Sequence, residues 1–479
     1  MTRVRVAVAR VVVALALAGA CGACSLAPPY RRPATAAPPM IYQEMDGWKI
    51  AAPSDVEPKG PWWTIYRDPA LDELEAQVAS ANQSLKAAFA RLQQAHAQTG
   101  IARAAYFPSL TADASATRAQ TSVNSPNFFP GEKNPVNDFI AGGELSYEID
   151  LFGRVKNTVA GARTSEQASA GDLAALELSL RAELASDYFM LRGLDAQQDL
   201  LDRTVADYAR ALELTQNLYK GGAAAVVDVQ QAQAQLETAR TQAEDTRLRR
   251  AQTEHAIAVL VGREASGFHL APRPLEASVA PPNIDPGLPS QLLERRPDVS
   301  AAERRVASAN AAIGVARAAY FPVFSLAAAL GLESTATGNW IQAPSRFWSI
   351  GPQGVVTLFD AGLHRAQSAA ARAAYDEQVA NYRSSVLTAF QDVEDNLAAL
   401  RRLERESVTE AAAVAATQGA LDQANFRYKG GLVTYLEVVS SENAALTARL
   451  AAVDIQTRRM AASILLIKAL GGDWHTPLP

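Results

Sequence analysis

The sequence predicts an α+β membrane protein in which long helical hairpins are joined to a few β-strands that close a barrel only when several copies of the chain pool them. Three observations lead there. The chain is an internal duplication, each half has a proline-free window able to hold very long helices, and each half has two segments of strand periodicity.

The N-terminus comes first. Arg3, Arg5 and Arg10 precede a short apolar run from Val11 to Ala20, and small residues then lead to Cys21 and Cys24, which are the only two cysteines of the 479 residues. That pattern reads as a secretory signal cut before a lipid-modified cysteine. Such processing leaves no thiol pair for a disulfide, so stability has to come from packing. No later segment approaches the roughly 18 consecutive apolar residues of a membrane helix, so a membrane role requires a barrel. The formal net charge of −5, with acids and bases interspersed, argues against a nucleic-acid partner.

The duplication shows as an ordered set of recurrences. Ala102-Arg-Ala-Ala-Tyr-Phe-Pro108 returns as Ala316-Arg-Ala-Ala-Tyr-Phe-Pro322, Tyr219-Lys-Gly-Gly222 as Tyr428-Lys-Gly-Gly431, and Leu260-Val-Gly262 sits where Ala469-Leu-Gly471 does. A proline-rich connector from Pro272 to Pro297 separates the halves and cannot continue a helix. Its N-terminal counterpart is the stretch from Ala27 to Pro61. After each strap one helix is expected to open, with Asp68 and Asp298 suited to capping its free amides.

No proline lies between Pro135 and Pro272 or between Pro352 and Pro477. In the first window Leu173, Leu176, Leu180, Leu184, Tyr188, Leu191 and Leu194 recur at three- and four-residue steps, with a polar substitution at Gln198. In the second, Leu436, Val439, Leu446, Leu450 and Val453 do the same, with Asn443 and Thr457 as polar interruptions. A single helix from near Arg154 to Tyr219 rises roughly 100 Å, far beyond an ordinary domain. The paired glycines Gly221 and Gly222, and Gly430 and Gly431, are where each long helix turns back, because glycine accepts the left-handed conformation of a helix end.

Four segments read as strands. Leu110, Ala112, Ala114 and Ala116 alternate with polar neighbours, as do Leu145, Tyr147, Ile149 and Leu151 with Glu144, Ser146, Glu148 and Asp150. Phe324, Leu326, Ala328, Leu330 and Leu332 mark the third, and residues Phe347 to Phe359 the fourth, where Pro352 suggests a bulge. Aromatic residues cluster near the strand ends, among them Tyr106, Phe107, Tyr320 and Phe321, as an interfacial girdle requires. About four strands are fewer than the roughly eight of the smallest membrane barrels. Unpaired edge amides are not viable in lipid, so strands that cross it must be pooled between chains.

Five segments carry a family resemblance: Cys24-Ser-Leu-Ala-Pro-Pro-Tyr30, Trp63-Thr-Ile-Tyr-Arg-Asp-Pro69, Glu148-Ile-Asp-Leu-Phe-Gly-Arg154, Gly287-Leu-Pro-Ser-Gln-Leu-Leu-Glu-Arg-Arg-Pro-Asp298 and Ala469-Leu-Gly-Gly-Asp-Trp474. Over nearly the whole chain it resembles the outer membrane factor family, the TolC-like exit channels of tripartite efflux pumps, in their lipoprotein branch. The resemblance implies a homotrimer with a 12-stranded β-barrel, four strands per chain, continued by an α-helical coiled-coil barrel in the periplasm. It implies an outer-membrane location in a Gram-negative bacterium and acylation at Cys24. The partners implied are outer-membrane lipid, a periplasmic adaptor (membrane fusion) protein and an inner-membrane transporter, most often of the resistance-nodulation-division type. It further implies a periplasmic gate beyond the hairpin turns, with Asp228 and Glu437 at matching places, Tyr428 in an interhelical hydrogen bond, and Glu437 ringing the lumen. On this reading the chain divides into a signal peptide (1–23), a lipid-anchored extended segment (24–68), a first repeat (69–271), a connector (272–297) and a second repeat (298–479).

Nothing in the sequence suggests catalysis or a cofactor. The histidines are scattered without metal-ligand spacing, and Lys220 has no phosphate-cradling loop around it. For Asp228 and Glu437 the plain alternative is complementing a helix dipole. The rival reading for the whole chain is a lipid-anchored helical scaffold without a channel.

Overall fold

A computed structural model describes residues 25–34, 60–126, 128–131, 133–282, 284 and 295–472. The helices are α1 (Pro69–Ala81), α2 (Gln83–Ala104), α3 (Arg154–Lys220), α4 (Val226–Leu260), α5 (Pro297–Ala318), α6 (Leu363–Lys429) and α7 (Tyr435–Ala469); the strands are β1 (Ser109–Ala119), β2 (Val136–Ile149), β3 (Val323–Ser334) and β4 (Arg346–Val355). The duplication is exact in helix length. α2 and α5 each have 22 residues, α3 and α6 each 67, and α4 and α7 each 35. Only the strand-bearing segments between them differ in length, as surface connections tolerate.

The described residues divide into two compact units. One takes Arg91–Ala170 and Ala301–Tyr382 together with the segment up to Pro33, and holds the sheet. Its four strands are antiparallel in the order β1-β2-β3-β4. Two expectations need correction here. β2 reaches back to Val136, further than its alternating residues showed, because Ala141, Gly142 and Gly143 have too little side chain to display a pattern. Pro352 makes no bulge: β3 and β4 keep one register from Val323↔Val355 to Leu332↔Arg346, with Pro352 opposite Leu326. Within the chain β4 pairs only with β3, so the proline ring displaces no strand on its other side.

The other unit takes Ala34–Ala90, Gly171–Ser300 and Arg383 onward. Here too an expectation changes, since the first half opens with two helices. Asn82 is extended (ψ 125°); its buried amide donates to Leu260 O (2.8 Å) and its Oδ1 accepts from Leu85 N–H (3.1 Å), ending α1 and starting α2. Asp68 caps α1 through Ala70 N–H (3.1 Å), whereas Asp298 lies inside the first turn of α5 and receives Arg296 through two bonds (3.1 and 2.7 Å). The long helices pack on the apolar steps read from the sequence. Tyr208, Leu212, Ala232, Leu236, Ala424, Tyr435 and Val438 form one buried cluster, and Leu201, Ala243 and Leu446 another. Thr457 is buried because α7 passes Gly193 of α3 so closely that a β-carbon there would overlap its hydroxyl.

The segment after α4 is extended, as its prolines require, and is bound by a buried ionic network. Asp195 receives Arg250 Nε (2.6 Å), Arg192 Nη1 (3.2 Å) and Arg273 N–H (2.8 Å). The same arginines donate to Ala271 O (2.9 Å) and Leu270 O (2.7 Å), and Glu254 accepts Leu270 N–H (2.6 Å). These bonds satisfy a strap that has no secondary structure of its own to pair its amides.

Candidate functional site

Because side chains alternate along a strand, register decides whether the four apolar stripes coincide. They do. Leu110 pairs Leu145, which pairs Ala328, which pairs Ile350; the next row is Ala112, Gly143, Leu330 and Trp348, and on the other side Tyr147, Leu326 and Pro352 share a row. Across all four strands this face is apolar from the row of Ile149 and Phe324 to that of Ala112 and Trp348; Arg346 then enters in the row of Ala114, Ala141 and Leu332, Ser334 in the row of Ala116 and Phe139, and Arg118 and Asn137 follow. Its large side chains are bare within the chain: Leu110 is 74% exposed, Leu330 67%, Trp348 76% and Ile350 65%. A continuous exposed apolar face of this kind needs a non-aqueous neighbour.

The opposite face carries Ser109, Thr111, Asp113, Ser115 and Thr117 on β1, Asp138, Glu144, Ser146 and Glu148 on β2, Ser325 and Glu333 on β3, and Ser349 and Gln353 on β4. It holds five carboxylates and no base of the strands. Glu148 is engaged by Arg154, whose Nε donates to it at 2.8 Å. Gly142 and Gly331 face each other on this side, and the Phe347 ring lies where a β-carbon on Gly331 would go. β1 and β4 each pair with only one strand, so the sheet has two open edges.

The hairpin turns fold as the glycine pairs require. Gly222 (φ +73°) and Gly431 (φ +68°) are the left-handed residues, preceded by Gly221 and Gly430 in ordinary conformations. Ala223 N–H donates to Leu218 O (2.8 Å) and Gly222 N–H to Tyr219 O (3.0 Å), while Leu432 N–H reaches Arg427 O (2.9 Å) and Gly431 N–H Tyr428 O (2.9 Å). Both turns therefore carry the same paired-bond helix cap.

Beyond the turns, Asp228 accepts Ala225 N–H at 3.0 Å and so closes the start of α4. Glu437, in the first turn of α7, receives Arg427 Nη1 at 2.6 Å. The Tyr428 hydroxyl bonds Thr215 of α3, its ring lies 5.4 Å from that of Tyr435, and burial raises its pKa. Sequence reading missed two features of this region. Gln235 donates to Asn443 Oδ1 (2.6 Å) and to the Tyr208 hydroxyl (3.1 Å), joining the two hairpins through a polar bond inside an apolar seam. Glu442, whose carboxyl is pushed up to about 7 by burial and by Asp207, is a further acid. The polar interruption at Asn443 was the one signal available. Cys24 lies outside the described residues.

Comparison with known proteins bears on the whole chain. The family model for outer membrane efflux protein matches residues 74–263 and 288–472, one match per repeat. The chain is 32% identical to the outer membrane protein OprJ of Pseudomonas aeruginosa over 96% of its own length and 95% of that protein's. It is 29% identical to the cation efflux system protein CusC of Escherichia coli over 97% and 98%. Among solved structures, the outer membrane channel CmeC of Campylobacter jejuni superposes with a TM-score of 0.84 at 25% identity, covering 95% of this chain and 96% of that one. The open edges of the sheet, its apolar face and these matches have one common explanation. The chain belongs to the outer membrane efflux protein family and is an efflux channel of the outer membrane, a homotrimer in which each protomer contributes four strands to one barrel.

Proposed function

We propose that this channel is the exit duct for drugs or other small solutes, held by a lipid on Cys24 and gated beyond its hairpin turns. It works with a periplasmic adaptor and an inner-membrane transporter of the resistance-nodulation-division type. The observation that carries the duct is the sheet, whose polar face meets the lumen and whose apolar face meets lipid.

Support for Cys24 comes from the residues after it. Ser25 donates to Asn157 Oδ1 (2.9 Å), Leu26 O accepts from Arg317, Pro28 O accepts Asn310 Nδ2 (2.9 Å), and the Tyr30 hydroxyl donates to Glu303. The strap is thus pinned along α5 and the start of α3, with Ser25 near the first turns after β2. A diacylglycerol on the preceding residue would therefore be joined directly to this pinned segment.

At the turns, Asp228 is taken up by capping, so the gate rests on Glu437, Arg427 and Tyr428. The Arg427–Glu437 pair and the Tyr428–Thr215 bond hold the turn of the second hairpin in one arrangement, and opening breaks them. Conductance in planar bilayers tests this. Arg427→Ala combined with Tyr428→Phe is expected to raise single-channel conductance several-fold at low salt. Unchanged conductance in a correctly assembled trimer removes the gate from these residues, and mass spectrometry of the mature N-terminus decides the acylated cysteine.

A further inference from the structure

The repeated motif Ala-Arg-Ala-Ala-Tyr-Phe-Pro has so far only marked the duplication. In the structure both copies stand where a helix gives way to a strand: Arg103 and Arg317 are the penultimate residues of α2 and α5, and β1 and β3 follow. Tyr106, Phe107, Tyr320 and Phe321, between them and the strands, are all at least 40% exposed. The helices that leave the sheet repeat the pattern. Lys156 is the third residue of α3 and Arg365 the third of α6; Arg163 and Arg372 are the tenth residues of the same helices. A spacing of seven places each pair on one helix face, two turns apart.

The sign of these charges is uniform. Residues 95–104, 154–163, 309–318 and 363–372, the segments of all four helices next to the strands, contain no Asp or Glu. Bases in the first turns of α3 and α6 oppose the helix dipole, which favours acids there, so helix stability does not explain them. The nearby acids have other partners, although Glu166 also feels the charge of Arg103. Asp150 accepts Lys156 N–H (2.7 Å), Asp360 accepts Gly362 and His364 N–H (2.9 and 2.8 Å), Glu148 holds Arg154, and Glu166 bonds His96 (2.8 Å). Arg317 donates to Leu26 O. Lys156, Arg163, Arg365, Arg372 and Arg103 are exposed, and no ion pair is formed by them among the described residues. Arg103 and Arg163, from neighbouring helices, line one hollow of about 260 Å³ with His96, Thr99, Gly100 and Glu166.

We infer that these bases form a collar that binds anionic phospholipid headgroups of the periplasmic leaflet. The inference rests on the reading of the sheet as membrane-spanning. Apolar strand face, aromatic pair and basic helix turns then follow one another in the order hydrocarbon, interface, phosphate. Charge complementarity and continuity with the lipid-facing sheet select lipid as the occupant, and each base recurs at the same place in both halves.

The test uses the acylated trimer in zwitterionic detergent, titrated with phosphatidylglycerol or with phosphatidylcholine of the same chains and read by native mass spectrometry. The wild-type trimer is expected to prefer phosphatidylglycerol at least about tenfold, with the preference falling in high salt, since each base near a surface contributes about fivefold. The variant Lys156→Gln, Arg163→Gln, Arg365→Gln, Arg372→Gln should lose most of that preference, and the same set with arginines changed to lysine should keep it. Equal retention of the two lipids by an intact wild-type trimer overturns the collar, as does a glutamine variant with undiminished preference. Should the glutamine variant fail to assemble, the wild-type comparison and its salt dependence still decide. Absence of a detergent-solubilised trimer from the membrane fraction would instead strike the membrane reading itself.

Discussion

Leu330→Arg tests the assignment of the two sheet faces. Leu330 stands in the row Ala112, Gly143, Leu330, Trp348, close to the middle of the apolar stripe that on β2 runs from Ile149 to Phe139. At 67% exposure it packs against little within its own chain, so losing it removes almost no internal contact. Whatever the substitution costs must come from its surroundings. An arginine at the midplane of a barrel's lipid face costs about 2–4 kcal/mol, and three chains incur it together. The control is Ala329→Arg, one residue away on the polar face opposite Glu144, where the new charge meets a carboxylate in water and changes stability by about 0–1 kcal/mol. Folding into lipid vesicles against a urea series measures both, and the amount of SDS-resistant trimer in outer membranes gives an independent reading. Equal insertion of Leu330→Arg and wild type, or a larger loss from Ala329→Arg, would refute the face assignment.

Three further outcomes follow from the structure. Gly222→Ala and Gly431→Ala should each destabilise the hairpins by about 1–2 kcal/mol in thermal unfolding, because alanine resists φ near +70°, while Gly221→Ala should be nearly neutral. Asp195→Ala strips the buried partner from Arg192 and Arg250 and should cost about 3–5 kcal/mol in urea unfolding, whereas Asp199→Ala, in an exposed pair with Arg203, should cost under about 1 kcal/mol. Glu75 is fully buried with neither carboxylate oxygen hydrogen-bonded, and desolvation raises its pKa to about 8 even with Arg181 at 3.9 Å. The folded state then holds a proton that the unfolded state has lost above its ordinary pKa of 4.5, so this contribution is complete below that pH and disappears as pH rises through about 8. Chemical denaturation at pH 5, 7 and 9 should show that loss in wild type and not in Glu75→Gln.

The sequence by itself determined the elements and their repetition. Helix lengths follow from proline-free windows, the turns from paired glycines at Gly222 and Gly431, and the strand faces from alternation at Leu110, Leu145 and Leu326, because each of these signals is local and reports the backbone geometry of its own few residues. Incomplete closure was legible too, since four strands cannot satisfy their edges in lipid. What the tertiary structure decided is where distant residues meet: that Asn82 breaks the first helix by reaching Leu260, that Asp298 takes Arg296, that Asn443 finds Gln235, and that Asp228 is a cap. A polar or charged side chain in a sequence states only that it needs a partner or water; which one it obtains depends on the packing of segments hundreds of residues apart, and only the folded chain supplies that.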